Sequence, residues 1–417
     1  MADGQLRSDA LDIFLSAVKD SLPDTAVRKA LEKCSLPERI IVIAIGKAAW
    51  RMAKTAVSCL AGKEIRGAVI TKYGHSCGPI EGLKIFEAGH PVSDANTFAA
   101  TEYILKITEG LSEDDHILFL VSGGGSALFE KPLPGVTPAE IADLNSQLLR
   151  SGADINEINT VRKRFSAVKG GRFAEHCSPA RIHQIILSDV LGDDLSSIAS
   201  GPAVLDHSAA SEARALAEKY SLNLSSKMTE LLDKKPPASL DNVSTTIAGS
   251  VRELCSSAVR RAKELGYDTY LITDDLRGEA KEASELLVRH IRMLKDKNSS
   301  RIRPCALIMG GETTVTVKGS GKGGRNQELA LHSAKLISGM ENTLILSAGS
   351  DGTDGPTDAA GGIVDGGTWN ALEESGIAPL LMLQDNDSYN ALKACGGLVV
   401  TGPTGTNVND LTLALCV

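Results

Sequence analysis

Apolar residues in this chain gather in short continuous runs that stop abruptly at polar, glycine-rich loops. The runs are Ile40–Ile45, Ala68–Thr71, Leu83–Phe86, Ile117–Val121, Ile182–Leu187, Thr245–Ala248, Thr269–Thr273, Ala306–Met309, Thr343–Ala348, Gly397–Thr401 and Leu411–Val417. Continuous runs, unlike alternating ones, mark strands buried on both faces, as in sheets sandwiched between helices. Between them lie stretches of helical period. Ser8–Leu31 places Leu11, Phe14, Leu15 and Val18 on one face, AAWRMAKTAVSCLAG follows Lys47, and Ser211–Leu232 is a third. Strands alternating with helices predict an α/β protein. The best linker signal is Lys234-Lys235-Pro236-Pro237-Ala238-Ser239, because proline punctuates regular structure. The expected domains are therefore 1–237 and 238–417.

The loops at the strand ends carry the chemistry. Gly46-Lys47 follows the first run and precedes a helix, a unit that places anions at a helix N-terminus. GxxxxGK[ST] is absent, so this is not a P-loop, and on spacing alone Lys47 reads as a solvated cap residue rather than an anion ligand. Ser122-Gly123-Gly124-Gly125-Ser126 ends the run Ile117–Val121. Its N–H groups and two hydroxyls suit an oxyanion or phosphate, while the G-x-S-x-G elbow of serine hydrolases does not fit in register. Asp154–Glu175 packs Arg162, Lys163, Arg164, Lys169 and Arg172 closely together, as an anion site or a solvated basic face. Asp189, Asp193 and Asp194 follow Ile182–Leu187, where carboxylates serve as metal ligands, general bases or caps. The stretch Met309–Gly362 is densest in such features. It holds Glu312, the loop KGSGKGGRNQE, and then SAGSDGTDGPTDAAGG with Asp351, Asp354 and Asp358. Anion donors beside carboxylates suggest a phosphate held with a divalent metal; turn chemistry accounts for the same residues in another way. DNDSYNALK and VTGPTGTNVNDL add further polar loops late in the chain.

Composition narrows the class. At 417 residues two domains are expected. With aromatics at 4% and hydrophobic residues at 42%, the core rests on Val, Ile, Leu and Ala. The net charge of -8, with no basic stripe interleaved with aromatics, argues against nucleic acid as a partner. Cys34, Cys59, Cys77, Cys177, Cys255, Cys305, Cys395 and Cys416 form no CxxC or zinc-like spacing, so free thiols in a reducing cytoplasm are expected. The polar N-terminus lacks a signal-peptide pattern and no apolar run approaches a membrane span; no membrane association is expected.

Taken in order, the motifs AIGKAAWRMAK, GHPVSDANT, LVSGGGSALFE, INTVRKRFSAVKGGRFA, LSDVLGDDLSSIASGP, GGETTVTVKGSGKGGRNQELAL, SAGSDGTDGPTDAAGGIVD, NDSYNAL and TGPTGTNVNDL resemble those of class II glycerate kinases, the glycerate 2-kinases with a C-terminal MOFRL domain. Ser93 stands where that family tends to have proline. The resemblance implies a Rossmann-like N-terminal α/β domain, a three-layer sandwich, with a smaller C-terminal MOFRL α/β domain and an active site in the cleft between them. It implies ATP-dependent phosphorylation of D-glycerate at the 2-hydroxyl, with Mg²⁺; a monomer or homodimer is expected. It also makes Lys47 and Arg325 functionally essential, where they would neutralise charge on the transferred group. Asp189 or Asp351 would accept the hydroxyl proton, and the other acid with Glu312 would hold the metal. Expected substrate and nucleotide contacts are Ser122, Gly123, Gly124, Gly125, Ser126, Arg162, Lys169, Gly323, Gly324, Asn326 and Asn407. Two rival readings are an NAD(P)H-dependent hydroxypyruvate reductase, disfavoured by the missing GxGxxG, and a non-catalytic nucleotide- or sugar-phosphate-binding protein, disfavoured by the acid cluster.

Overall fold

The computed structural model describes residues 2–188, 195–297 and 303–417. Contacts divide the chain into two compact units, Ala26–Ala248 and Met1–Thr25 with Gly249–Val417. The expected linker at Lys234–Ser239 lies inside the first unit, because the chain goes on to supply another strand to its sheet. The division falls after Ala248, and the first helix belongs to the second unit.

The unit Ala26–Ala248 is built on six strands: β1 (Arg39–Ile45), β2 (Glu64–Lys72), β3 (Leu83–Ala88), β4 (His116–Val121), β5 (Arg181–Leu187) and β6 (Val243–Gly249), in the order β3-β2-β1-β4-β5-β6. The β3–β2, β2–β1, β1–β4 and β4–β5 pairs are parallel. Both faces are covered, which is why these runs are continuously apolar. Ile41, Ile43, Ile45, Ile117, Phe119 and Val121 pack under Ala100, Ile104, Phe173 and Cys177. Their neighbours Ile40, Val42, Ala44, Leu118 and Leu120 face Ala49, Met52, Ala53 and Ala56 on the other side. This is a three-layer α/β sandwich. Its strand order reverses between β1 and β4, the place where open α/β sheets bind ligands at the carboxyl ends of the strands.

The second unit carries β7 (Asp268–Leu276), β8 (Cys305–Gly311), β9 (Thr343–Gly349), β10 (Gly361–Asp365), β11 (Leu398–Val399) and β12 (Asp410–Cys416), ordered β11-β10-β9-β12-β8-β7. Only β7–β8 is parallel; the other pairs are antiparallel. The sheet is therefore mixed, and β8, β9 and β12 are buried along their whole lengths. β10, spelled GGIVD, had no signal among the apolar runs, and Gly397–Thr401 shortens to a two-residue strand. The helical stretch Ser8–Leu31 breaks into Ala2–Asp20 and Pro23–Leu31; proline is tolerated at a helix's first turn and not inside it. Ser211–Leu232 likewise divides into Ala210–Lys219 and Ser226–Leu231, the second capped by Ser225.

Candidate active site

In the unit Ala26–Ala248 the loops after β1 and β4 are stitched together at the point of reversal. Lys47 N donates to Gly123 O at 2.9 Å, Ala48 N to Ser122 Oγ at 3.1 Å, and Ser122 N to Ile45 O at 3.0 Å. Gly46 has φ +116°, and a Cβ there would collide with Ser122, so only glycine lets the two loops approach. Lys47 is thus fixed by its backbone while its side chain is exposed. A Cβ on Gly124 would meet His90 at 3.0 Å and Lys47 Cγ at 3.2 Å, which puts the imidazole, the lysine and the glycine loop side by side. Burial pulls the His90 pKa below the usual histidine range, and the cations Lys47 and Lys72 push it the same way. The charged form of His90 is therefore disfavoured where it stands beside Lys47.

Gly125 packs against Ala199, and Ser126 Oγ lies 2.9 Å from Ser200 Oγ. Ala199 and Ser200 adopt left-handed φ values of 52° and 58°, strained for residues with a Cβ. The basic segment is not a solvated face. Lys163 pairs with Asp206, Arg164 donates to the Ser208 carbonyl and hydroxyl, and Arg172 donates to the Lys163 carbonyl. Lys169, expected to touch ligand, is 1% exposed. Its ammonium is held by Glu130 and the Phe129 carbonyl, so it props the loop after β4 from beneath. Of these cations Arg162 alone is only half-buried. Asp189, Asp193 and Asp194 lie outside the described residues.

In the second unit Arg325 is the first residue of the helix Arg325–Leu336. Its guanidinium grips Asp410 with Nε at 2.5 Å and Nη2 at 3.0 Å, while Nη1 reaches Glu312 at 2.7 Å. Asn409 Nδ2 donates to the other Glu312 oxygen at 3.1 Å. Asp410 is 5% exposed, and burial pushes its pKa up to about 6 even with the guanidinium beside it. The pattern of the chain did not single out Asp410. It stands where the polar loop NVND meets the apolar run LTLALCV, and that junction was its only signal.

The loop KGSGKGGRNQE is less open to ligand than its glycines suggest. Asn386 Oδ1 accepts from Lys318 N and Gly319 N, Asp385 Oδ1 from Ser320 N, and Asp387 Oδ1 from Lys322 N. Gly321 N donates to the Asp385 carbonyl. That leaves Gly323 and Gly324, beside Arg325, as the donors the DND segment does not take. Asn326 is 1% exposed and interior: its Oδ1 accepts from Ser347 Oγ at 2.7 Å, so it braces the helix and does not face a ligand. Asn407 is exposed, its Oδ1 3.4 Å from Asn409 N. Asp354 is a buried cap for the Arg325 helix. Asp351 is half-buried, with Oδ1 accepting from Thr353 N at 2.9 Å, and Asp351 and Asp410 flank Gly349. Among the described residues no group of three His, Cys, Asp or Glu is arranged to hold a metal. A site of one or two carboxylates completed by substrate phosphates is the usual form for Mg²⁺; of the two carboxylates expected for it, Asp351 and Glu312, the second already accepts from Arg325 and Asn409 through both oxygens. No helix among the described residues is long and apolar enough to cross a membrane.

Known proteins resemble this chain along nearly its whole length. The family profile described as a domain of unknown function (DUF4147) matches residues 9–233, and that of the MOFRL family matches residues 305–410. The D-glycerate 2-kinase of Thermotoga maritima is 50% identical over 412 residues, 99% of each chain. The crystal structure of glycerate kinase from the same organism superposes with a TM-score of 0.95, covering 99% of this chain and 100% of that one. An Agrobacterium vitis relative, 36% identical over 100% of this chain and 98% of its own, carries the name "Putative hydroxypyruvate reductase". With a DUF4147 unit, a MOFRL unit and half its residues in common with a D-glycerate 2-kinase along its full length, the chain belongs to the glycerate 2-kinase family.

Proposed function

We infer that the protein transfers the γ-phosphoryl group of ATP to the 2-hydroxyl of D-glycerate, giving 2-phosphoglycerate and ADP. The observation that carries this reading is the junction of the β1 and β4 loops at the reversal of strand order, with Lys47 exposed above a glycine nest. Phosphoryl transfer asks for positioning and charge neutralisation more than for covalent chemistry. The Gly123–Ser126 nest and Lys47 hold phosphate oxygens. Arg325, kept charged by its two carboxylates, stabilises the charge that develops on the transferred group, and Gly323 and Gly324 offer N–H donors beside it. The 2-hydroxyl oxygen bonds to the γ-phosphorus as the bond to the β-phosphate oxygen breaks, and the hydroxyl proton passes to a carboxylate. Asp351 has an oxygen available for that proton or for a metal; Asp189 is the other candidate. Mg²⁺ held by Asp351 and Glu312 would neutralise phosphate charge.

A reductase reading would need a dinucleotide fingerprint after β1, and the residues there are Gly46-Lys47-Ala48-Ala49-Trp50. Incubation with D-glycerate, ATP and Mg²⁺, followed by ³¹P NMR, should give 2-phosphoglycerate as the product. Consumption of NADH with hydroxypyruvate in the absence of ATP, without phosphorylated product, would overturn the reading. Lys47→Ala should lower kcat by at least about 100-fold, the range for loss of one charge-stabilising donor. Its thermal midpoint should stay within a few degrees of the wild type, because the side chain is exposed and lies outside the apolar core.

A further inference from the structure

The helix Ile155–Arg162 buries Ile158 and Val161 in an apolar cluster with Ile141, Leu144 and Leu216. Asn159 and Arg162, one turn apart, share a different face. Asn159 is 3% exposed, and its Oδ1 accepts from Ser200 Oγ at 3.0 Å. Ser200 Oγ in turn lies 2.9 Å from Ser126 Oγ, so this chain of contacts sets the polar face of the helix against the loop after β4. Two groups on that face are unspent. The Asn159 amide nitrogen is buried without a hydrogen-bond partner. Arg162 donates from Nε to Asn145 Oδ1 at 2.5 Å, and among the described residues no carboxylate pairs with it. A buried amide donor with no partner, beside a half-buried cation held by no direct carboxylate contact, is costly unless a ligand completes the pair.

The geometry points to Arg162 and Asn159 as the seat of the acceptor's carboxylate, at the carboxyl end of β4. This rests on the glycerate reading and adds to it the group that recognises the acid. A guanidinium fork with one amide donor matches a carboxylate in shape and charge. A polyphosphate fits less well. Glu130 lies within electrostatic reach of Arg162, and one of its oxygens is buried without a partner although the other is held by Lys169. The Glu130–Lys169 couple brings no net charge of its own to attract a polyanion, while the glycine nest nearby already offers N–H donors for phosphate.

The test is steady-state kinetics on the full chain with D-glycerate, its neutral amide glyceramide, and ATP. Arg162→Gln should raise KM for D-glycerate on the order of 10- to 100-fold, the worth of one charge-assisted hydrogen bond, with KM for ATP changed less than about threefold. The preference for D-glycerate over glyceramide should fall by at least tenfold, a readout that a merely structural role would not move. Asn159→Asp keeps the acceptor for Ser200 and replaces the amide donor by a carboxylate oxygen, so it should weaken D-glycerate alone. Arg162→Lys keeps the charge without the fork and should fall between wild type and Arg162→Gln; with Asn159→Asp it decides the matter should Arg162→Gln fail to fold. A rise in KM for ATP with D-glycerate unaffected, or an unchanged preference over glyceramide, would overturn the assignment. A wild type that turns over no D-glycerate would instead sink the underlying reading of function.

Discussion

Arg325 holds two carboxylates of opposite situation, Asp410 buried beneath it and Glu312 exposed above. Removing the arginine leaves Asp410 as a buried charge with no partner, a loss of about 3–5 kcal/mol. Arg325→Ala should therefore lower both stability and kcat. Adding Asp410→Asn to it should restore most of the thermal midpoint and none of the turnover, which separates the structural part of Arg325 from the catalytic part. Recovery of turnover in the double variant would refute the catalytic part. A pH dependence follows from the same residue. Asp410 titrates near 6 when folded and near 3.9 when unfolded, so the folded state binds its proton first as pH falls. Its stabilising contribution is full below pH ~3.9 and is lost as pH rises through 6. The thermal midpoint of the wild type minus that of Asp410→Asn should accordingly grow between pH 7 and pH 4. At this scale the sequence was a partial guide. Lys47 and Arg325 stood out through their motifs, whereas Asp410, His90, Asn159 and Glu130 are ordinary residues whose meaning comes from what the fold sets beside them.

Glycine-rich loops were legible as elements but not in their use. The spelling KGSGKGGRNQE reads as a row of free N–H groups, yet most are taken by Asp385, Asn386 and Asp387, acceptors 65 to 68 residues downstream that no local pattern connects to them. The helix that follows is started the same way. Asp354, from the loop after β9, accepts from Asn326 N at 3.2 Å, Gln327 N at 2.9 Å and Gln327 Nε2 at 2.9 Å. It thereby supplies the cap that Gly324 has no side chain to give. Asp354→Ala would strand those donors in the interior at a cost of about 1–3 kcal/mol. Because Arg325 is the first residue of that helix, kcat should fall with stability, although Asp354 has no place in the chemistry. Asp354→Asn, which keeps an acceptor, should lose less on both counts. Differential scanning calorimetry with parallel rate measurements checks the pair; full activity in Asp354→Ala would show that the helix start does not govern Arg325.

The expected two-domain α/β organisation is present, but the chain reaches it by an excursion that linear reading misses. The proline-rich linker marked a real break in regular structure, and what it could not announce was that β6 still belonged to the earlier sheet. Nor does a helical period say which sheet its apolar face will meet. Ala2–Asp20 packs against the helix Val251–Glu264, β9 and β12, more than two hundred residues away. Polar contacts fix the match: Tyr267 donates to Asp9 at 2.6 Å, Arg261 to Asp12 at 2.6 Å, Ser257 to Asp20 at 3.0 Å, and Thr406 to the Ser21 carbonyl at 2.8 Å. Leu6, Ile13, Phe14 and Val18 are at most 5% exposed. At ~1.5–3 kcal/mol for each fully buried side chain, these four contribute about 6–12 kcal/mol as an upper bound. That is comparable to the ~5–15 kcal/mol that separates a folded domain from its unfolded chain. Deleting residues 2–22 should therefore unfold the unit built on β7–β12 while sparing the one built on β1–β6, whose apolar clusters among the described residues include no side chain of that helix. Limited proteolysis of the deletion variant should digest residues 249–417 and leave a resistant fragment near 26–248. A synthetic peptide of residues 1–25 added in excess should restore protection, because the helix contributes packing that does not depend on its covalent attachment. Uniform resistance of the deletion variant would mean that the β7–β12 core closes without it.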